Sequence, residues 1–194
     1  MIRKLLRRAR VQISRVFFFI RNMRATGKMD EIPPFRYQEY YIAGLKAGQF
    51  DEMYEIYQAI SGGQTLNYWH RKLIKLRGNK LCGIIMDKNR RILGFQLHHF
   101  KKRELPKGIL YVEYSCLLPE VRGKSLSTAL RKYTAKHFLL QGIKGLSAHT
   151  HKENYPALNA AKSIGYEITD EKPNVEDYLP LYLDLAKFCD PANT

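Results

Sequence analysis

The passage that most constrains how this chain folds runs from an apolar, strand-like segment, Ile109 to Leu117, through Leu118-Pro119-Glu120-Val121-Arg122-Gly123-Lys124-Ser125-Leu126-Ser127 and into a long helical pattern. In that pattern Leu126, Leu130, Tyr133, Thr134, His137 and Leu140 recur at three- and four-residue steps. The first turn of a helix leaves backbone N–H groups without partners and carries a partial positive charge, so a turn of small residues there can cradle an anion. Gly123, Ser125 and Ser127 keep this turn small, and Arg122 and Lys124 add fixed charge beside it. A pyrophosphate suits such a site; an ordinary strand-turn-helix connection with incidental basic residues is the plainer reading of the same stretch.

The rest of the chain from Pro33-Pro34 onward reads as one domain of alternating elements. A first strand is expected over residues 36–42, then a helix from Phe50 to Ile60 closed by Gly62-Gly63, and a second helix from Leu66 to Leu76. Leu81–Met86 and Ile92–Phe100 flank the turn Asp87-Lys88-Asn89-Arg90 as a hairpin. Ile109–Leu117 is a strand, Ser125–Leu140 the long helix, Gly145–His149 a strand, Tyr155–Ile164 a helix and Tyr178–Leu185 a closing strand.

A second motif, Asn154-Tyr155-Pro156-Ala157 followed by Gly165-Tyr166, is separated from Arg122 by one helix and one strand. With the first it resembles the acyl-CoA core of the GNAT superfamily of N-acetyltransferases, and the element order is similar to that family over residues 36–185. The resemblance implies an α+β fold: a mixed, mostly antiparallel sheet with one splayed parallel strand pair, flanked by helices. It implies acetyl-CoA as acyl donor, with the backbone of Ser115, Cys116 and Leu117 pairing with pantetheine like an added strand. Arg122 matches the first position of the family loop, which spans Gly123, Lys124, Ser125, Leu126 and Ser127; Ser125 and Ser127 stand where the family has Gly and Gly or Ala. Asn154 matches the asparagine that contacts the pantetheine side. Ala161 occupies the position where many members carry a tyrosine that protonates the departing thiolate, which leaves Tyr155 or Tyr133 as substitutes.

Amine attack on a thioester needs a proton acceptor. Glu113, on the strand ahead of the loop where many GNAT members place a glutamate, is the first candidate, with His149 or His151 next. The acceptor is expected against the first helices, the hairpin and the last strands, which bring Asn67, Tyr68, Trp69, His70, His98, His99, Tyr178 and Tyr182. Those residues suit a small amine such as an amino sugar or amino acid. Two functions of different class follow: an N-acyltransferase, working from acetyl-CoA or from a longer acyl chain on CoA or an acyl carrier protein; and a binding protein on the same fold that has lost turnover. No metal is expected: His149 and His151 share a strand face, but no third ligand stands at a convincing spacing.

The net charge of +15 is concentrated at the start of the chain. Residues 1–28 hold nine basic side chains and no acid, while Ile2, Leu5, Ala9, Ile13, Val16, Ile20 and Met23 fall at helical steps. Residues 1–32 therefore read as a basic amphipathic arm and 33–194 as the GNAT-like domain. Val16–Ile20 is far shorter than the roughly 20 residues of a membrane span or the 7–15 or so of a secretory core. The arm can lie on an anionic membrane surface, dock an acidic protein, serve as a presequence, or pack on its own domain. Nucleic-acid binding is disfavoured, because an apolar stripe with three adjacent phenylalanines interrupts the charge. Cys82, Cys116 and Cys189 form neither a CxxC pair nor a disulfide framework and fit a reducing, cytoplasmic setting, peripheral to a membrane if the arm binds one.

Overall fold

A computed structural model describes residues 2–171 and 175–188; Cys189 lies outside them. In chain order the elements are α1 (Ile2–Ala25), β1 (Phe35–Tyr37), β2 (Tyr40–Gly44), α2 (Phe50–Ile60), α3 (Tyr68–Leu81), β3 (Cys82–Met86), β4 (Ile92–His99), β5 (Ile109–Leu117), α4 (Leu126–Leu140), β6 (Gly145–His151), α5 (Tyr155–Lys162), β7 (Glu167–Ile168), β8 (Tyr178–Asp184) and α6 (Leu185–Phe188). The strands form one sheet in the order β1-β2-β3-β4-β5-β6-β8-β7. Every pairing is antiparallel except β5 with β6. The fold is thus α+β, with a mixed, mostly antiparallel sheet and one parallel pair, as expected.

Side-chain alternation along the strands builds two apolar layers. On one face α2 and α3 pack Phe50, Met53, Tyr57 and Ile74 over Ile84, Phe95 and Leu97. On the other, α4 lays Leu126 and Leu130 over Ile42, Ile85 and Leu93, and Ala135 and Phe138 over Leu110, Val112 and Leu146, with α5 adding Leu158 and the turn after it Ile164.

Several boundaries differ from the periodicity reading, and three of them have a local cause. The strand expected over 36–42 is a hairpin, because Gln38 turns the chain with φ of 55° and Tyr37 pairs with Tyr40. The second helix begins at Tyr68, since Asn67 accepts hydrogen bonds from the Trp69 and His70 N–H groups as its N-cap, and it runs on to Leu81. Gly78 does not end it: a Cβ there would lie 3.1 Å from the Leu45 carbonyl, so the glycine lets the helix close on β2. The strand expected to stop at His149 continues to His151, paired with Tyr178.

The basic helix is present and its two halves differ. Residues 6–14 are exposed, whereas the second half docks on the domain. Asn22 is fully buried; its Nδ2 donates to the Phe18 and Phe100 carbonyls, and its Oδ1 accepts from the Phe100 N–H at 2.7 Å. Arg21 Nε donates to the same Phe100 carbonyl, and Lys80 Nζ donates to the carbonyls of Thr26 and Met29. Of the four readings of this segment, packing on its own domain describes its second half. Among the described residues no helix is long and apolar enough to cross a membrane.

Candidate functional site

The β5–β6 pairing runs only from Ile109↔Gly145 to Val112↔Ala148. Beyond it the strands part: β5 stays with β4 through Leu117, and β6 stays with β8. From Glu113 to Leu117 the β5 edge that faces β6 therefore has no strand partner; alternation aims the backbone groups of Ser115 and Leu117 at the gap, while Cys116, like Leu118, whose N–H donates to the Leu93 carbonyl, turns its own to β4. Cys116 turns its side chain into the α2 layer, and burial pushes its thiol up to about 12, so it is a core residue rather than a nucleophile.

In the turn after β5 the Arg122 N–H donates to the Pro119 carbonyl, while among the described residues no backbone carbonyl takes the N–H groups of Gly123, Lys124 and Ser125. Arg122, Gly123, Lys124 and Ser125 are exposed, while Leu126 is fully buried and anchors the start of α4. Arg122 Nε reaches back to the Leu117 carbonyl at 3.4 Å, and Arg131, largely buried, ties Ser127 Oγ to the next turn at 3.3 Å. Ser125 adopts φ of 57°, the left-handed region, and makes no side-chain cap bond. A residue with a Cβ is strained there by about 1–2 kcal/mol, which is why a glycine would suit the position. On the far side of the gap Asn154 caps α5 by accepting the Ala157 N–H on Oδ1. Its side-chain NH2 is then directed elsewhere. Tyr155 opens α5 with its side chain 66% exposed, while Ala161 is buried in the core beside Leu158 and Ile164. The Tyr133 hydroxyl is occupied, donating to the Pro33 carbonyl at 2.9 Å.

Glu113 owes its setting to a β-bulge. Leu97 pairs with Tyr114 and His98 with Val112, so Glu113 has no residue opposite it, and Glu113 and Tyr114 both face the α2/α3 side. Tyr114 meets the Tyr57 hydroxyl at 3.1 Å. Glu113 meets two histidines: His99 Nδ1 lies 3.2 Å from Oε2, and His70 Nε2 lies 3.6 Å from Oε1. The three side chains are 20%, 11% and 19% exposed, respectively Glu113, His99 and His70. Burial pushes the Glu113 carboxyl up, but the hydrogen bond from His99 and the charges of His99, His70 and Lys101 outweigh it and hold it below its ordinary value. His70 is also lowered, chiefly by burial, with the Glu113 charge opposing and His99 and Arg15 adding to the effect. At neutral pH the carboxylate is ionised and His70 uncharged.

The tautomer of His70 follows from its helix cap. Asn67 Oδ1 is taken by backbone N–H groups, so Asn67 Nδ2 donates to His70 Nδ1 and leaves the ring proton on Nε2, directed at Glu113. His70, His99 and Glu113 place three metal-type donor atoms within 4.8 Å of one another. The pair considered from sequence, His149 and His151, is not part of that cluster. Ligation by His70 Nε2 would require its proton on Nδ1, where Asn67 presents a second N–H, so the Asn67 amide opposes a metal at this position.

Around the trio the rings continue without a break. Phe18 of α1 stacks on His70 at 4.1 Å, His99 lies 5.1 Å from Tyr111, and Tyr111 lies 5.7 Å from His149. Burial pushes the Tyr111 hydroxyl up to about 12, with the Glu113, Glu104 and Tyr178 charges adding to it. His151 sits against Tyr178 and Glu153. Of the residues expected to grip an acceptor, His98 is a correction: alternation turns it to the opposite face, where Nδ1 bonds the Leu81 carbonyl and the ring packs on Phe138. Trp69 packs on Phe19 of the same helix that supplies Phe18. Phe18 and Arg15 were not legible as site residues, because nothing in a basic helix signals which side chains face a sheet some 80 residues away in sequence.

The model of the acetyltransferase (GNAT) family matches residues 50–166, more than half of the chain. Among curated proteins no sequence matches it. Solved structures do. The ribosomal-protein-S5-alanine acetyltransferase of Vibrio fischeri aligns at a TM-score of 0.66 and 16% identity, over 81% of this chain and 100% of that one. The Salmonella typhimurium protein yncA, solved with its cofactor acetyl-CoA, aligns at 0.65 and 15% identity over 79% and 98%. The dodecameric spermidine N-acetyltransferase of Vibrio cholerae aligns at 0.60 and 12% identity over 79% and 98%. The splayed β5–β6 pair, the anion-type turn before α4 and the family match agree, and the chain belongs to the GNAT acetyltransferase family.

Proposed function

We propose that this protein is an acyl-CoA-dependent N-acyltransferase that moves an acetyl group from acetyl-CoA to a primary amine by direct attack on the thioester. The observation that carries the reading is Glu113: an ionised carboxylate at a bulge, where β5 leaves β6, fixed between His70 and His99. In this reading Glu113 accepts the proton that the amine loses as its nitrogen bonds the acyl carbon. The tetrahedral oxyanion is stabilised by backbone N–H groups of the open β5 edge. The C–S bond then breaks, and Tyr155, exposed at the start of α5, gives the thiolate its proton. The loop from Arg122 to Ser127 and the Asn154 amide would hold the donor, and no covalent enzyme intermediate is needed.

The test is release of free thiol from acetyl-CoA against a panel of primary amines, with Glu113→Gln beside the parent. Amine-dependent release that the variant loses supports the reading; equal rates in the two remove Glu113 from it. A second reading, a binding protein that has lost turnover, is favoured by the strain at Ser125 and the buried Ala161. It predicts acetyl-CoA binding without thiol release for any amine.

The projecting half of α1 supports a cytoplasmic place at an anionic membrane surface, because Leu6, Ile13 and Phe17 stand exposed along one stripe among arginines. Leu6→Ser should then reduce cosedimentation with anionic vesicles and leave thiol release unchanged.

A further inference from the structure

A cleft of about 1050 Å³ lies along α1 and reaches Asn67 and His70, the residue that directs Nε2–H at Glu113. Four cations line it, Arg10, Arg15, Arg21 and Lys102, and no acidic side chain does. Among the described residues none of the four is in an ion pair. Arg21 is fixed, since its Nε donates to the Phe100 carbonyl at 2.9 Å and leaves the outer NH2 groups to spare. It is also partly desolvated, and burial lowers its pKa. An unpaired guanidinium held in place beside apolar surface is a strong site for a carboxylate or phosphate oxygen. The rest of the wall is apolar: Val11, Ile13, Phe17 and Phe18, with Phe17 as much as 64% exposed.

From this lining we infer that the acceptor is an anionic amine with an apolar body, its negative group held by Arg15, Arg21 and Lys102 and its amine delivered past His70 to Glu113. The inference rests on the proposed N-acyl transfer and names its substrate class. The positive field does two things at once. It attracts the acid end of the acceptor, and it disfavours the ammonium form of the other end, so more of the neutral nucleophile reaches Glu113. That Arg15 already helps to hold His70 below its ordinary value shows its field reaching the His70 end of the cleft. A polycation such as spermidine meets four unpaired positive charges here and is a poor fit, although a structural neighbour bears its name.

The experiment compares 8-aminooctanoate with octylamine, whose amines are alike in basicity, and with spermidine, each as acceptor with acetyl-CoA. The expected kcat/KM for the amino acid is at least about tenfold above that for octylamine, the size of one good charge-assisted contact at a half-exposed site. Arg15→Gln and Lys102→Gln, neither of which removes a hydrogen bond within the protein, should bring that ratio towards one. Raising the salt should do the same. Trp69, the single tryptophan, sits beside Asn67 and reports binding by fluorescence without turnover. If no amine is acetylated but Trp69 reports tighter binding of 8-aminooctanoate than of octylamine, lost in Arg15→Gln, the transfer reading fails and the charge selection stands. Equal kcat/KM or equal binding for the two, or a preference for octylamine or spermidine, overturns the inference.

Discussion

The two sides of the gap between β5 and β6 are built in opposite ways. On the proposed reading the donor side is a contiguous run, Arg122 to Ser127, whose working parts are backbone amides, and its side chains are exposed from Arg122 to Ser125. The proposed acceptor side is made of side chains from four elements, Phe18, His70, His99 and Glu113, each partly or largely buried and held by the next. Backbone sites tolerate replacement of side chains, provided φ stays accessible; side-chain sites do not, since each group sets the ionisation or the tautomer of its neighbour. The comparison teaches where function should be fragile. A change in the loop should act as strain, by about 1–2 kcal/mol, and a change in the trio should act on the chemistry itself.

The sharpest way to break that contrast is Glu113→Gln. On the proposed mechanism kcat/KM falls by about 10²–10⁴-fold while acetyl-CoA affinity, read by calorimetry, stays near that of the parent. A fall in donor affinity of the same size would mean that the two sides are not separable. Next comes α1. Asn22→Ala leaves the buried Phe100 N–H without its acceptor, which should cost about 2–3 kcal/mol and lower Tm by roughly 5–10 °C in thermal unfolding. Because α1 carries Phe18, acceptor KM should rise in the same variant on the proposed reading, while acetyl-CoA should bind as before.

Acid titration addresses the trio directly. Glu113 and His70 both have folded pKa values below their ordinary ones. In each case the unfolded chain binds more protons than the folded one as pH falls, so the stability they contribute is present above the unfolded values and lost on acidification. For His70 the loss begins below about pH 6.5, and for Glu113 below about pH 4.3. Chemical denaturation from pH 7 down to pH 4 should show a decline that is shallower in His70→Asn; an identical slope would mean that His70 is as easily protonated in the folded chain as in the unfolded one.

What the sequence disclosed follows the same division. Phe50–Ile60 and Ile109–Leu117 matched to the residue, because each is a local pattern of apolar spacing. The turn at Gln38 was hidden, as it uses no Gly, Pro or Asn, and β7 was missed at two residues long. Gly78 looks like a stop until the approach of Leu45 shows its purpose. At the site, the donor loop was legible as a string. Glu113 was legible only as a strand residue, since a bulge is a property of two strands and of their register. His98 and His99 are adjacent and look alike in sequence, yet the pleat sends one to the core and the other to Glu113.

On the donor side the expected effects are smaller and of opposite sign. Ser125→Gly removes a Cβ from the left-handed position at φ of 57°. Where the native φ is positive, the relief of about 1–2 kcal/mol is partly offset by the greater freedom of glycine in the unfolded chain, about 0.5–1 kcal/mol. The net gain should be near 1 kcal/mol, seen as a Tm rise of roughly 2–4 °C. On the proposed reading acetyl-CoA affinity should improve with it, because the backbone proposed to meet the phosphates loses a Cβ. No gain in either measurement would mean that the turn changes its conformation when the donor binds.

Tyr155→Phe tests the boundary between the two sides and should have the smallest effect of the set. The phenol is 66% exposed and makes no hydrogen bond within the described residues, so nothing fixes its proton in a direction. Water reaches the same place, and a thiolate leaves readily near neutral pH, so general-acid help from an unfixed group should fall at or below the low end of its usual range, about tenfold in kcat. The loss should fade as pH is lowered and solvent itself becomes the better proton source. A loss as large as that of Glu113→Gln would show instead that donor binding orders Tyr155 against the sulfur. The donor side would then, like the acceptor side, depend on a particular side chain, and the contrast between the two would hold only for the unliganded protein.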